Sequence, residues 1–309
     1  MKKWPGAMSA AVDAKLDAAP FSTAVPYRVA DFLALTKPRL NSLVVVTAGI
    51  GYYLGTTGEW HVARLLEAVF GIALVAGGAA GLNQIYEHET DSLMFRTRMR
   101  PIAARRVTTS EALVFSIALT AIGLAVIAAT SNLLAAFLAF LTVISYNVVY
   151  TPMKRRSQLA TLVGAVPGAL PPMIGWVAAR GALTREAWAL FAIVFVWQIP
   201  HFMAIAWLYR ADFARAGFPL LPVIEPTGAT TGRQAVLFSL VLVPLSVAPY
   251  FLQMSGPAYA IGAAAGSIAL LSLAISFALK RTDERARTLF LGSISYLPLL
   301  WGLLIADRL

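Results

Sequence analysis

Along the chain, apolar residues run in blocks too long for a soluble fold. Seven windows contain no Asp, Glu, Lys or Arg: 40–58, 68–86, 112–153, 157–179, 187–209, 234–279 and 288–306. Each reaches roughly the 20 residues needed to cross a bilayer core, and two are about twice that length. Window 112–153 is interrupted at Thr130-Ser131-Asn132, and window 234–279 at Gln253-Met254-Ser255-Gly256-Pro257. Both are polar turn clusters. The pattern predicts nine spans, at about 40–57, 66–88, 112–129, 133–150, 159–178, 187–208, 235–252, 258–279 and 288–306. The expected fold class is therefore all-α, a polytopic membrane protein with nine transmembrane helices. Residues 28–309 form its membrane domain. Residues 28–39 are expected to lie flat on the membrane, with Phe32, Leu33 and Leu35 as the apolar side. Residues 1–27 are Ala-rich, carry Pro5, Pro20 and Pro26, and lack the apolar core of a signal peptide. Asp13 and Asp17 argue against a mitochondrial presequence, and the segment reads as a loose cytoplasmic tail.

Composition narrows the class further. Of 309 residues, 59% are hydrophobic and 13% charged, against about 45–50% and about 25% in soluble domains. A soluble enzyme, a nucleic-acid-binding protein and a disordered chain are excluded. The net charge of +10 is first a matter of topology. The N-terminal segment and the loops after spans two, four, six and eight hold 21 of the 25 Lys and Arg residues; the other side holds only Arg64, Arg180, Arg185 and Arg308. Basic loops stay in the cytoplasm. The expected placement is a cell (inner) membrane, with the N-terminus cytoplasmic and the C-terminus outside. There is no Cys, which removes disulfides, thiolate metal sites and a thiolate haem ligand.

The candidate chemistry begins where span two ends. Asn83, Glu87 and Asp91 stand at i, i+4 and i+8, so a helix continued one turn further carries an amide and two carboxylates on one stripe. Carboxylates near a membrane are costly and mark function by default. Five arginines follow, at 96, 98, 100, 105 and 106. Two readings stand here. The acids are neutralised surface charge, or they hold Mg²⁺ against a diphosphate that the arginines grip. A second cluster closes span six: Gln198, Pro200 and His201, then Tyr209, Arg210, Asp212 and Arg215. Spans two and six share a parity, so both clusters face the cytoplasm as opposite walls of one cavity. Asp212 also reads as an ordinary interfacial acid, and His201 as a packing histidine. Span five, with Pro167, Gly168, Pro171, Pro172 and Gly175, is either bent along a cavity or kinked for packing. Gly77, Gly78 and Gly81 invite close helix approach.

Taken together, these residues resemble a known family. Asn83-x-x-x-Glu87-x-x-x-Asp91-x-x-Met94-x-Arg96-Thr97-x-x-Arg100-Pro101 is similar to the first aspartate-rich motif of the UbiA-type intramembrane prenyltransferases. Glu at the middle position resembles the haem-prenylating branch, where relatives acting on aromatic acceptors carry Asp. Lys37-Pro38-Arg39, Tyr150-Thr151 with Lys154-Arg155, Pro171-Pro172-x-x-Gly175-Trp176, Pro200-His201-Phe202 and Asp212-Phe213-x-x-Ala216-Gly217-x-Pro219 match in order over roughly 28–306. The resemblance implies a UbiA-type nine-helix bundle in the lipid bilayer, farnesyl diphosphate and haem B as substrates, haem O as product and Mg²⁺ as cofactor. It implies that Asn83, Glu87, Asp91 and Asp212 bind metal and that Arg96 and Arg100 hold diphosphate. Lys37, Arg39, Tyr150, Lys154, Arg155, His201 and Tyr209 would contact substrate. Haem A synthase or oxidase assembly proteins would be partners. One departure is Ala216, where many relatives carry a second acid four residues after position 212; a two-metal arrangement is correspondingly weakened.

Two other classes compete. A secondary transporter places its ion sites near the bilayer midplane on broken helices, whereas these acids sit at cytoplasmic helix ends. A haem-binding assembly factor would not need the carboxylate stripe. A UbiA-type enzyme with an aromatic acceptor is the nearer alternative.

Overall fold

The computed structural model describes residues 28–59 and 61–309; the expected tail, 1–27, lies outside them. The elements in chain order are α1 (Arg28–Leu35), α2 (Pro38–Gly55), α3 (Val62–Leu93), α4 (Thr109–Thr130), α5 (Leu133–Ile144), α6 (Ala160–Arg180), α7 (Arg185–Leu208), α8 (Arg210–Arg215), α9 (Leu221–Ile224), α10 (Ala229–Phe251), α11 (Pro257–Leu279) and α12 (Asp283–Ala306). There is no strand among the described residues. Helix α5 runs on through a π-helical turn, Ser145–Tyr150, to Met153.

All nine predicted helices occur where the apolar windows put them, with one difference. Eight among the described residues are long and apolar enough to cross a membrane, and α2 is not one of them. Its 18 residues begin with Pro38, Arg39, Asn41 and Ser42, which dilute an otherwise apolar segment. What holds α2 in the bundle is backbone contact with α6. A Cβ on Gly51 would lie 2.0 Å from the Pro172 carbonyl oxygen, and one on Gly175 would lie 1.8 Å from that of Ala48. Only glycine permits such an approach, which replaces side-chain interdigitation in membrane helix pairs. Pro167, Pro171 and Pro172 lie inside a continuous, mostly buried helix.

The bundle groups α2 with α6, α3 with α4, α5 with α6, α7 with α6, α10 and α12, and α11 with α10 and α12. Within the segment expected to lie flat over 28–39, residues 28–35 form a short helix seated on α3 and α4. Leu35 is fully buried, and the Phe32 ring meets that of Phe115 at 5.0 Å. Leu33 points outward. Asp31 on its inner side is paired with Arg106 at 2.8 Å. An apolar groove of about 1180 Å³ runs between α1, α3 and α4, lined by residues such as Phe32, Leu74 and Phe115. It contains none of the α3 acids.

Candidate active site

Helix α3 does continue past its apolar window, to Leu93. Its end is closed by the loop that follows: Met94 N–H and the Thr97 hydroxyl both donate to the Asp91 carbonyl. Asn83, Glu87 and Asp91 therefore share one stripe, and all three are buried. Buried carboxylates need partners, and three cations from separate elements supply them.

Asp91 accepts from Arg100 through both oxygens, at 2.8 and 2.7 Å. Nine residues separate them, and the turns between Met94 and Arg106 fold Arg100 back over the helix end. Glu87 accepts from Lys154 Nζ at 2.9 Å. Asn83 Oδ1 accepts from Lys37 Nζ at 2.7 Å, and Asn83 Nδ2 donates to Thr151 Oγ1 at 3.1 Å. Two local distortions make this convergence possible. Lys37 adopts a left-handed conformation, φ 48°, between α1 and α2, where the Gln84 side chain donates to the Leu35 carbonyl at 2.8 Å. The π-helical turn adds a residue per turn at the end of α5, bonds Thr151 N–H to the Tyr146 carbonyl, and swings Thr151 toward Asn83. Such turns concentrate at functional sites. The Tyr146 and Tyr150 rings stack at 5.6 Å, and Lys154 Nζ lies 4.5 Å from the Tyr150 ring centre.

The cluster holds three basic side chains against two carboxylates. Burial, then the nearby Arg100 charge, lowers the Lys37 pKa to about 7, with Glu87 pulling the other way. Burial also opposes the charge on Lys154, but Glu87, Tyr150 and Tyr146 outweigh it and raise its pKa. The site thus holds its acids neutralised with positive charge to spare.

The second cluster adjoins the first through its loop. Arg96 lies 5.3 Å over the Tyr209 ring, and Met94 packs with Ala216 and Phe218. Asp212 is paired with Arg215 one turn on, not with the α3 residues. Arg39 and Arg155 are exposed and stand outside the cluster. His201 is also apart, on α7, with Nδ1 2.8 Å from Ser293 Oγ of α12. Three positions were not selected as site residues from the sequence. Gln84 follows Asn83 directly, and Thr151 sits between two selected residues; a mostly apolar helix with a π turn hides the i, i+4 relation of Tyr146 to Tyr150.

The donor set fits Mg²⁺ on chemistry. It is oxygen only, and Mg²⁺ takes one or two carboxylates together with substrate phosphates and water. No group of three or more His, Cys, Asp or Glu gathers into an all-protein metal cage among the described residues.

Comparison with known proteins follows the same line. The sequence model of the UbiA prenyltransferase family matches residues 43–297. A relative from Solibacter usitatus, named protoheme IX farnesyltransferase, is 45% identical over 287 residues, covering 90% of this chain and 98% of the relative. One of the same name from Opitutus terrae is 42% identical, covering 91% and 96%. Among solved structures, one concerned with digeranylgeranylglyceryl phosphate synthase superposes with a TM-score of 0.77 at 18% identity, covering 91% of this chain and 99% of that one. A UbiA homologue from Archaeoglobus fulgidus bound to GPP and Mg²⁺ gives 0.61 at 17%, covering 89% and 99%. At such identities these structures speak to the fold.

Proposed function

The chain belongs to the UbiA prenyltransferase family, and from that membership we propose that it transfers a farnesyl group from farnesyl diphosphate to a vinyl group of haem B. Water adds in the same reaction, and the product is the hydroxyethylfarnesyl group of haem O. The name shared by its relatives supports the substrate pair. The protein is a multi-pass membrane enzyme, and the Lys/Arg distribution supports a cytoplasmic N-terminus in an inner membrane. The observation that carries the site is the buried Asn83–Glu87–Asp91 stripe with its three cations.

In this reading, diphosphate enters at the cytoplasmic helix ends and takes Lys37, Lys154 and Arg100 as partners. The oxygens of Asn83, Glu87 and Asp91 would then hold Mg²⁺, and Asp212, paired at rest with Arg215, would join them from the second cluster. Mg²⁺, when bound, supplies neutralisation of the leaving group. Arg96, steadied on Tyr209, holds the diphosphate from the loop, and Tyr150 closes the pocket beside Lys154. The exposed Arg39 and Arg155 draw anionic groups to the mouth.

The carbon–oxygen bond of farnesyl diphosphate breaks, and diphosphate leaves with the electron pair held by these cations. The vinyl terminus bonds to the farnesyl carbon, which puts positive charge on the carbon attached to the porphyrin. Water adds its oxygen there and loses a proton. Apolar walls keep water from the farnesyl cation before that moment. The product's tail keeps it in the bilayer, where a partner such as haem A synthase would meet it.

Purified protein given haem B, farnesyl diphosphate and Mg²⁺ in ¹⁸O-labelled water tests this. The expected product is a haem heavier by the farnesyl group and one labelled hydroxyl. A haem that returns unmodified removes the reading, and a product with unlabelled oxygen removes the water-capture step.

A further inference from the structure

Helix α7 buries an amide that the diphosphate site does not use. Gln198 is 4% exposed. Its Nε2 donates to the Ala165 carbonyl of α6 at 2.9 Å and to the Val194 carbonyl at 3.1 Å. A primary amide has two N–H donors and one acceptor oxygen. Both donors are spent on carbonyls, which only accept, so the orientation of the amide is fixed. Oε1 is the end left over, and no donor among the described residues bonds to it. An acceptor left unmet at that depth is costly. In protein interiors water is what satisfies such groups.

Oε1 abuts Gly168 of α6, where a Cβ would lie 2.3 Å from it. Gly168 is exposed although Pro167, Ala169 and Leu170 beside it are buried, so an opening meets α6 at this residue. Gly164 stands one turn earlier on the same face. A Cβ there would lie 2.4 Å from the Tyr150 ring, the ring that Lys154 approaches to 4.5 Å. The opening at Gly168 thus continues inward from the ion cluster. Gln198 meets α6 one helical turn, about 6 Å, deeper in the bundle than Tyr150 does.

We propose that Gln198 Oε1 holds the single water that adds to the prenylated acceptor. This rests on haem B being that acceptor. The reaction makes opposite demands: water must be kept from the farnesyl cation, yet one water must add afterwards. A water fixed at one buried acceptor meets both. It donates one hydrogen bond to Oε1 and turns a lone pair toward the carbon attached to the porphyrin. As the new carbon–oxygen bond forms, an O–H bond of that water breaks, and its proton passes to the diphosphate held by Lys154 and Arg100. An amide suits this place better than a carboxylate, because it orients water without carrying a charge that would itself trap the cation. Gly168 leaves the space that the water occupies.

The experiment is turnover of purified Gln198→Leu and Gly168→Ala with haem B, farnesyl diphosphate and Mg²⁺, with products resolved by mass. A cation that is not hydrated loses a proton from the neighbouring carbon and ends as an alkene, lighter than the hydroxylated product by one water. Wild type is expected to give the hydroxylated haem. In Gln198→Leu the ratio of hydroxylated to alkene product should fall about tenfold, the effect of one hydrogen bond on competing barriers. Gly168→Ala, which displaces only the movable end of Gln198, should shift the ratio the same way. The ratio is read within each sample, so a smaller folded fraction does not alter it. An unchanged ratio in Gln198→Leu overturns the proposal, and if that variant does not fold, Gly168→Ala decides by the same measure. Folded variants that lose farnesyl transfer altogether would assign the amide to the transfer step and overturn it equally. Wild type that returns haem unmodified would instead remove haem as the acceptor, so the two failures are distinguishable.

Discussion

Removing either member of the Glu87–Lys154 pair should cost more than removing both. The charges lie 2.9 Å apart, with the side chains 7% and 22% exposed. At an effective dielectric near 20 that separation corresponds to about 6 kcal/mol of attraction. Desolvation of each ion cancels much of it, so the pair's net contribution to folding is small, while a lone survivor is stranded. Lys154→Met leaves a buried carboxylate and should destabilise by about 3–5 kcal/mol. Glu87→Gln leaves a lysine that still has the Tyr150 ring 4.5 Å away, an attraction of up to about 2 kcal/mol in a desolvated setting. Its loss should sit at or below the lower end of that range. The double variant leaves no stranded charge and should lose less than either single variant. Denaturant unfolding of the detergent-solubilised proteins, run as a double-mutant cycle, measures this. Additive losses, with no coupling beyond about 0.5 kcal/mol, would refute the view that these residues neutralise each other at rest. Turnover separates the two roles: the double variant should remain inactive however well it folds.

Other outcomes follow from the same geometry. Arg100 reaches both Asp91 oxygens through Nη1 alone, and Arg100→Lys keeps a charge there but loses the planar guanidinium that grips a phosphate; it should raise the KM for farnesyl diphosphate more than it changes haem affinity, and a collapse of haem binding would move Arg100 to the porphyrin carboxylates. Gly175→Ala puts a methyl group 1.8 Å from the Ala48 carbonyl oxygen; the thermal midpoint should drop, by about 1–3 kcal/mol of stability or more, and an unchanged midpoint would mean that α2 and α6 are not locked there. With Lys37 at about 7, its charged form is lost as pH rises through neutrality. Calorimetry of pyrophosphate binding to metal-free protein should show affinity falling above that point and a proton taken up on binding. Lys37→Met should flatten this relative to pyrophosphate's own titration, and a wild-type profile no steeper than the variant's would assign the effect elsewhere.

Much of this was legible in the chain because membrane helices write themselves in charge-free windows. The α3 stripe was legible too, since i, i+4 and i+8 on a continued helix can only share a face. What surrounds the stripe was not. The counter-ions come from Lys37, Arg100 and Lys154. Two of these arrive through a left-handed residue and a π turn, and neither leaves a periodic trace in sequence. Helix α1 looked like a membrane-surface helix because Phe32, Leu33 and Leu35 are apolar. Its contact with the bundle through the Asp31–Arg106 pair, 75 positions apart, leaves no periodic trace in sequence. The polar start of α2 was visible, but the glycine contact that compensates for it becomes apparent only when α6 is laid alongside. Arg39 and Arg155 belong to matching motifs, yet a motif reports residue order and says little about which side chains converge.

The three cations over the α3 stripe make ligand entry an exchange reaction. Burying charge in a membrane protein is expensive, and here that expense is met during folding, when Glu87 and Asp91 are dehydrated against Lys154 and Arg100. An incoming magnesium diphosphate trades one set of ion pairs for another with little new charge to dehydrate. Such a site behaves like a loaded ion-exchange resin. It is occupied by its own counter-ions at rest, resists invasion by simple salts, and yields only to a ligand that brings both signs of charge at once.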